Sequence, residues 1–475
     1  MTPGAPASGP VHPTTDDPVV RALSEGVGGP VGTRAGRHRW WTPVRVLLAL
    51  TAVCFALGMV QKSGCYQDTW RDGEARYSQM CYSDLPYLYT GRGLAELDWP
   101  YSSDPQVRAR YQVMEYPVGI SYFAWASAWV THWANGSPDV SARYGRTPEA
   151  LGSDRAITAE TRLFVVVTAL GLAAVTLLAT WLLAGVNPRR PWDAAIFAVS
   201  PMLALTGLIN WDLLAVALVA GALWAWARGR PLLTGVLVGL GAATKLYPLF
   251  LLGGVLVIAL RERRARPFLL ALGGAAGAWL VANAPAYLTG PDQWRVFWSF
   301  NSGRGADLGS LWLVLSQATD GVAVHTVNLW SWLLFGAWCL GVLVLGLRAP
   351  RTPRLAQLGL LVVAGFLLVN KVYSPQYVLW LLPLAALARP RWRDQLVWQA
   401  GELLYFAGVW WYLGGFLAPS AGSDAGAYWI TILVRVAAEL YLVAVVVRDV
   451  LRPAHDPVDA ATPQSTTTRS NAVAV

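Results

Sequence analysis

The chain has 475 residues, of which 55% are hydrophobic and only 14% charged, and its mean hydropathy is +0.40. This excludes a string of soluble domains, where charged residues make up roughly a quarter, and a mainly disordered chain, which would be polar and highly charged. The formal charge of +9 comes almost wholly from arginine, with only three lysines (Lys62, Lys245, Lys371), and 25 Trp suit a membrane–water interface.

Residues 1–43 are rich in Gly, Pro and Ala without an apolar period, and read as a disordered cytoplasmic tail. The first apolar run, 44–60, starts too far from Met1 for a cleavable signal and reads as an uncleaved anchor. A polar, aromatic segment follows at 61–116. Further apolar runs lie at about 117–134, 161–185, 192–206, 209–227, 231–260, 267–288, 308–318, 327–347, 355–370, 374–388, 398–416 and 427–447. The run 231–260 holds Thr244-Lys245-Leu246-Tyr247-Pro248, so it reads as two short helices meeting at a polar tip. Residues 451–475 form a second polar tail. The expected fold is all-α, a polytopic membrane domain over 44–450 with about 10 to 13 membrane helices.

Arginine sets the orientation. Arg34, Arg37, Arg39 and Arg45 precede the first span. NPRR (187–190), RGR (228–230), RERRAR (261–266), RAPRTPR (348–354), RPRWR (389–393) and Arg448/Arg452 recur at every second connection. The positive-inside rule then makes these connections and both termini cytoplasmic, and puts 61–116 and the alternate connections outside. The rhythm holds only if one stretch between 117 and 185 is re-entrant or interfacial. Most of the +9 is spent on topology, and a nucleic-acid partner is not needed.

On the outer side, Cys65 and Cys81 flank a polar segment in a compartment that permits a disulfide, whereas Cys54 and Cys339 sit inside apolar runs. Three acidic features stand in the first loop: Asp84 before Pro86-Tyr87, the turn Asp98-Trp99-Pro100-Tyr101, and Glu115-Tyr116-Pro117. A carboxylate held near the membrane in an aromatic setting can act as a general base, because partial desolvation raises its pKa. An arbitrary acid in an external loop is, by contrast, simply solvated. The polar intrusions Asn210-Trp211-Asp212, Lys245, Arg295, Arg304 and Lys371 through Gln376-Tyr377 fall on the same side, where cations beside Tyr could hold a phosphate. Singly, such residues also serve as interfacial anchors.

The order Asp84-Leu-Pro-Tyr87-Leu-Tyr, Gly91-Arg92-Gly93, Asp98-Trp-Pro-Tyr101 and Glu115-Tyr116-Pro117 resembles the signature of the GT-C membrane glycosyltransferases of the glycosyltransferase 87 type, the polyprenyl-phosphate-mannose-dependent mannosyltransferases and their relatives. Asn210-Trp-Asp212, Thr244-Lys245-Leu-Tyr-Pro248 and Ser374-Pro375-Gln376-Tyr377 are similar to further segments of that family, and the resemblance spans about 44–450. One departure is Val118, where the family usually carries a second Pro. The resemblance implies a polyprenyl-phosphate sugar as donor, a glycolipid or glycan as acceptor, and no certain cofactor. Asp84 would be the base and Glu115 the second choice. Lys245, Arg304, Lys371, Gln376 and Tyr377 would face the donor phosphate. Tyr87, Arg92, Asp98, Tyr101 and Tyr116 would line the acceptor side. A divalent cation held by Asp84, Asp98 and Glu115 is a weaker reading. The alternatives are a transporter or flippase and a non-catalytic scaffold; no internal repeat relates the two halves, which disfavours transport.

Overall fold

The computed structural model describes residues 17–27, 40–67, 70–71, 73–417 and 425–460. Arg34, Arg37 and Arg39, and most of both tails, lie outside the described residues. The described residues form an all-α membrane protein without a β-strand. Its main helices are α1 (Pro18–Val27), α2 (Pro43–Gln61), α3 (Val118–Ala134), α4 (Arg155–Val186), α5 (Leu213–Ala227), α6 (Pro231–Ala242), α7 (Leu251–Glu262), α8 (Ala265–Thr289), α9 (Pro291–Gly303), α10 (Val324–Arg348), α11 (Leu355–Val369), α12 (Val378–Ala388), α13 (Trp392–Leu413) and α14 (Gly426–Leu451). Five of these, α2, α4, α8, α10 and α14, are long and apolar enough to cross a membrane.

The arginine-rich connections gather at one end. Arg190 donates to the Pro457 carbonyl, Arg354 pairs with Asp456 at 2.8 Å, Arg389 bridges Asp394 and Asp449, and Arg261 donates to the Leu347 and Ala349 carbonyls at the end of α10. Two corrections to the expected tails arise here. Pro18–Val27 is helical, and Asp17 both caps it and accepts from the Trp392 amide at 3.0 Å. Asp456, in the second tail, is buried because Arg354 and Gln357 both bind it. A carboxylate met by a guanidinium and an amide orders a backbone whose composition is otherwise that of a loop.

The segment 62–117, the turn at 243–248, the 304–310 loop and the 370–377 segment come together at the opposite end. Helix α3 has both ends there. Its first turn is tied to the α6 tip by Gly119 N donating to the Ala243 carbonyl at 2.8 Å, its middle by Trp125 donating to the Leu97 carbonyl, and its C-cap Asn135 donates to Glu160 on the first turns of α4. Both ends and the middle of α3 are thus hydrogen-bonded to groups at this end of the molecule. Buried Arg143 completes this cap, binding Glu160 at 2.7 Å, while Glu160 also accepts from Tyr89. Cys65 and Cys81 are disulfide-bonded, closing the start of the loop over Trp70.

The run 231–260 breaks at Lys245–Pro248 into α6 and α7. Helix α6 then lies very close to α8, where a Cβ on Gly235 or Gly239 would reach 1.9 or 2.2 Å from the Ala271 or Ala275 carbonyl oxygen. Small residues one turn apart permit that backbone approach without a hydrophobic drive from water.

Candidate active site

A cavity of about 650 Å³ opens at the end opposite the arginine cluster. Asp84, Glu115, Tyr116, Lys245, Arg304, Lys371, Gln376 and Tyr377, eight of the residues singled out in the sequence, line it. They come from five separate stretches of chain. Phe297, Trp298 and Phe300 of α9, Trp332 and Phe335 of α10 and Phe366 of α11 form its apolar wall, and Trp298 and Trp332 are exposed at the outer surface.

Asp84 stands just before the helical turn Leu85–Gly91, with its amide donating to the Ile209 carbonyl at 2.7 Å. Tyr82 Oη donates to Oδ1 at 2.8 Å and Tyr116 Oη to Oδ2 at 2.6 Å. Each oxygen keeps acceptor capacity beyond its tyrosine. Burial raises the Asp84 pKa, and the two tyrosine hydrogen bonds and the charge of Lys245 act against that rise. The carboxylate is oriented, partly desolvated and still able to accept a proton.

The three lysines play different parts. Lys245 forms a 3.0 Å ion pair with fully buried Asp212, which also accepts from Trp380 Nε1, and its ammonium lies 4.7 Å from the Tyr116 ring centre. Its charge is therefore largely neutralised by protein. Arg304 is likewise paired, with Asp307 at 2.6 Å. Lys371 donates to the Asn301 carbonyl and to Asn328 Oδ1, both neutral, at 2.6 and 2.5 Å. Burial and the neighbouring Arg304 charge lower its pKa. Of the lysine and arginine candidates on the phosphate side, Lys371 is the one that no carboxylate neutralises among the described residues.

Lys62, Asp307, Asn301 and Asn328 were missed by sequence reasoning. Lys62 is 4% exposed behind the base, its Nζ donating to the Tyr82 carbonyl at 2.8 Å; burial pushes it down to about 7 while the Asp84 charge opposes that. The rarity of lysine in this chain was the one signal that could have marked it.

The acceptor-side set divides. Tyr116 touches the base directly, and Arg92 pairs with Glu115 at 2.9 Å, which ties up the second-choice base. Tyr87 stacks on Tyr82 and donates to the Trp70 carbonyl, so it supports the disulfide-closed corner and does not line the cavity. Asp98 and Tyr101 do not line the cavity: Tyr144 donates to Asp98 at 2.5 Å and Tyr101 meets Ser121 at 3.2 Å. Their turn packs the loop onto α3 and α8, because its aromatic rings find Tyr122 and Trp125 there. No group of three or more His, Cys, Asp or Glu side chains able to hold a metal occurs among the described residues, so Asp84, Asp98 and Glu115 do not form a joint site.

Residues 155–370 match the model of glycosyltransferase family 87. The match covers somewhat under half of the chain and supports a membrane glycosyltransferase of the family 87 type. The matched segment contains Asp212, Lys245, Arg304 and Asn328; it begins after Asp84 and Glu115 and ends one residue before Lys371. No curated protein matches the chain. Lys245, Arg304 and Asn328 of the matched segment line the cavity together with Asp84 and Tyr116 of the first loop.

Proposed function

We propose that this glycosyltransferase moves a sugar, mannose being the first to test, from a polyprenyl-phosphate donor to a hydroxyl of an envelope glycolipid or glycan on the extracytoplasmic face. The single observation that carries the reading is the sharing of one cavity by Asp84 and Lys371, with an aromatic wall that is exposed at Trp298 and Trp332. A lipid tail would lie along the exposed apolar wall, leaving its phosphate beside Lys371 and Arg304. Asp84 would take the proton from the acceptor hydroxyl as that oxygen attacks the anomeric carbon. The bond from that carbon to the phosphate oxygen breaks in the same displacement, with inversion, and the two cations stabilise the charge growing on the phosphate. Lys245, already paired, would hold Tyr116 and Asp212 in place beneath the reacting groups.

The transporter alternative requires charged groups arranged for passage through the whole depth. The clustering of the candidate charges around a cavity at one end favours transfer. The test is to incubate membranes with labelled polyprenyl-phosphate-mannose and compare wild type with Asp84→Asn. Transfer by wild type and a loss of roughly 10²- to 10⁴-fold in the variant is the expected result. Equal transfer by both removes Asp84 as base, and no transfer by wild type removes this donor.

A further inference from the structure

Behind the cavity lies a charged cluster that the proposed chemistry does not use. Arg435 of α14 is fully buried and pairs with Glu439 one turn on at 2.8 Å. Its guanidinium lies 3.7 Å from the Tyr373 ring centre, and it donates to the Gly309 carbonyl at 3.3 Å. Tyr373 in turn donates to buried Glu402 of α13 at 2.9 Å, and the Tyr373 carbonyl accepts from Tyr405 at 2.5 Å. The Gly309 amide donates to Tyr428 at 3.0 Å.

These contacts hold two segments, 304–310 and 370–377, against α13 and α14. The segments are themselves laced together, Asp307 N to the Lys371 carbonyl at 2.8 Å and Tyr373 N to the Leu308 carbonyl at 2.7 Å. Arg304 and Lys371 are carried on these same segments. A buried ion pair is weak evidence of a stabilising role, since apolar side chains of similar volume often serve as well or better. A guanidinium that stacks on one segment and bonds the backbone of the other has a geometric effect that an apolar residue would not reproduce.

We propose that Arg435 is a positioning residue for the cation pair of the cavity: clamped by Glu439, it fixes Gly309 and Tyr373 and so sets where Arg304 and Lys371 stand. The importance of that spacing rests on the reading of the cavity as a donor-phosphate site. The placement itself can be tested without any donor. The chain has only three lysines, and Lys62 and Lys245 are enclosed whereas Lys371 is half-buried. The purified full chain is treated with an amine-acylating reagent, and labelling of each lysine is read by mass spectrometry for wild type, Arg435→Met and Arg435→Lys.

Release of Lys371 from Asn301 and Asn328 should raise its labelling roughly three- to thirtyfold in Arg435→Met. Lys245 should stay at its wild-type rate, and Arg435→Lys should restore much of the protection. Unchanged Lys371 labelling with Lys245 still protected overturns the proposal. Where Arg435→Met also exposes Lys245, the same ratio is read from Arg435→Met/Glu439→Gln, which leaves no carboxylate stranded by the loss of Arg435; equal labelling there is equally fatal. A wild type that shows the expected labelling but transfers no sugar from a polyprenyl-phosphate donor refutes the functional reading and leaves the positioning role standing.

Discussion

Lys245 and Asp212 form a 3.0 Å ion pair in which the carboxylate is fully buried and the ammonium faces the ring of Tyr116. Removing one member strands the other in a low-dielectric site at a cost of about 3–5 kcal/mol. Lys245→Met should therefore lower thermal stability sharply, and Lys245→Met/Asp212→Asn should recover most of it. Lys371, bound by neutral oxygens of Asn301 and Asn328, should behave oppositely. Lys371→Met leaves the melting temperature within a few degrees of wild type and raises KM for the lipid-phosphate donor. Thermal unfolding in detergent and donor titration check the contrast.

Asp84 predicts a pH signature. Its folded-state pKa is raised by burial above the free carboxylate value. Below that folded value the group is protonated and cannot act as a base, so transfer should fall as pH is lowered through it, and Asp84→Asn should abolish this limb together with the activity. The stability sign is the reverse. A raised carboxylate pKa means that ionisation opposes folding at neutral pH, so Asp84→Asn should be at least as stable as wild type at pH 7. A pH–rate profile and a melting curve at pH 7 suffice; a clear loss of stability in the variant would count against burial as the dominant influence.

Reduction offers a third check. The Cys65–Cys81 bridge has a sequence separation of 16, for which the loop-entropy account gives about 3 kcal/mol. Cys65→Ser/Cys81→Ser should loosen the corner where Tyr87 stacks on Tyr82, the tyrosine that orients Asp84. The expected outcome is faster proteolysis within 62–83 and a lower kcat, with the Lys245–Asp212 layer still protected from exchange.

Gly309 is the fourth. It has φ of +70°, and a Cβ there would lie 2.1 Å from Tyr405 Oη and 2.4 Å from the Tyr373 carbonyl oxygen. Gly309→Ala should cost about 1–3 kcal/mol for the left-handed conformation alone. Because the loop must also shift, Arg304 moves with it and transfer should fall more than stability does. The distant control Gly277→Ala, where a Cβ meets nothing within 4 Å, should leave both unchanged.

What the amino-acid sequence determined by itself was the membrane class, the helix break before Pro248, the gathering of the arginine-rich connections, and the stretches of chain that carry polar groups into the cavity. Hydrocarbon content, the missing amide of proline and the charge of short loops act locally, so they are readable locally. What only the tertiary structure decided was the partnership of those polar groups. Glu115 is held by Arg92, Lys245 by Asp212, and Lys371 by neutral oxygens, while Asp98 turns to Tyr144 and Tyr101 to Ser121. Arg435, Glu402 and Glu439 look in sequence like isolated charges within apolar helices; folding brings them behind the Tyr373 segment. Which charge is neutralised depends on contacts between distant stretches of chain, and in a low-dielectric interior a few ångströms separate a structural ion pair from a cation left to bind a ligand.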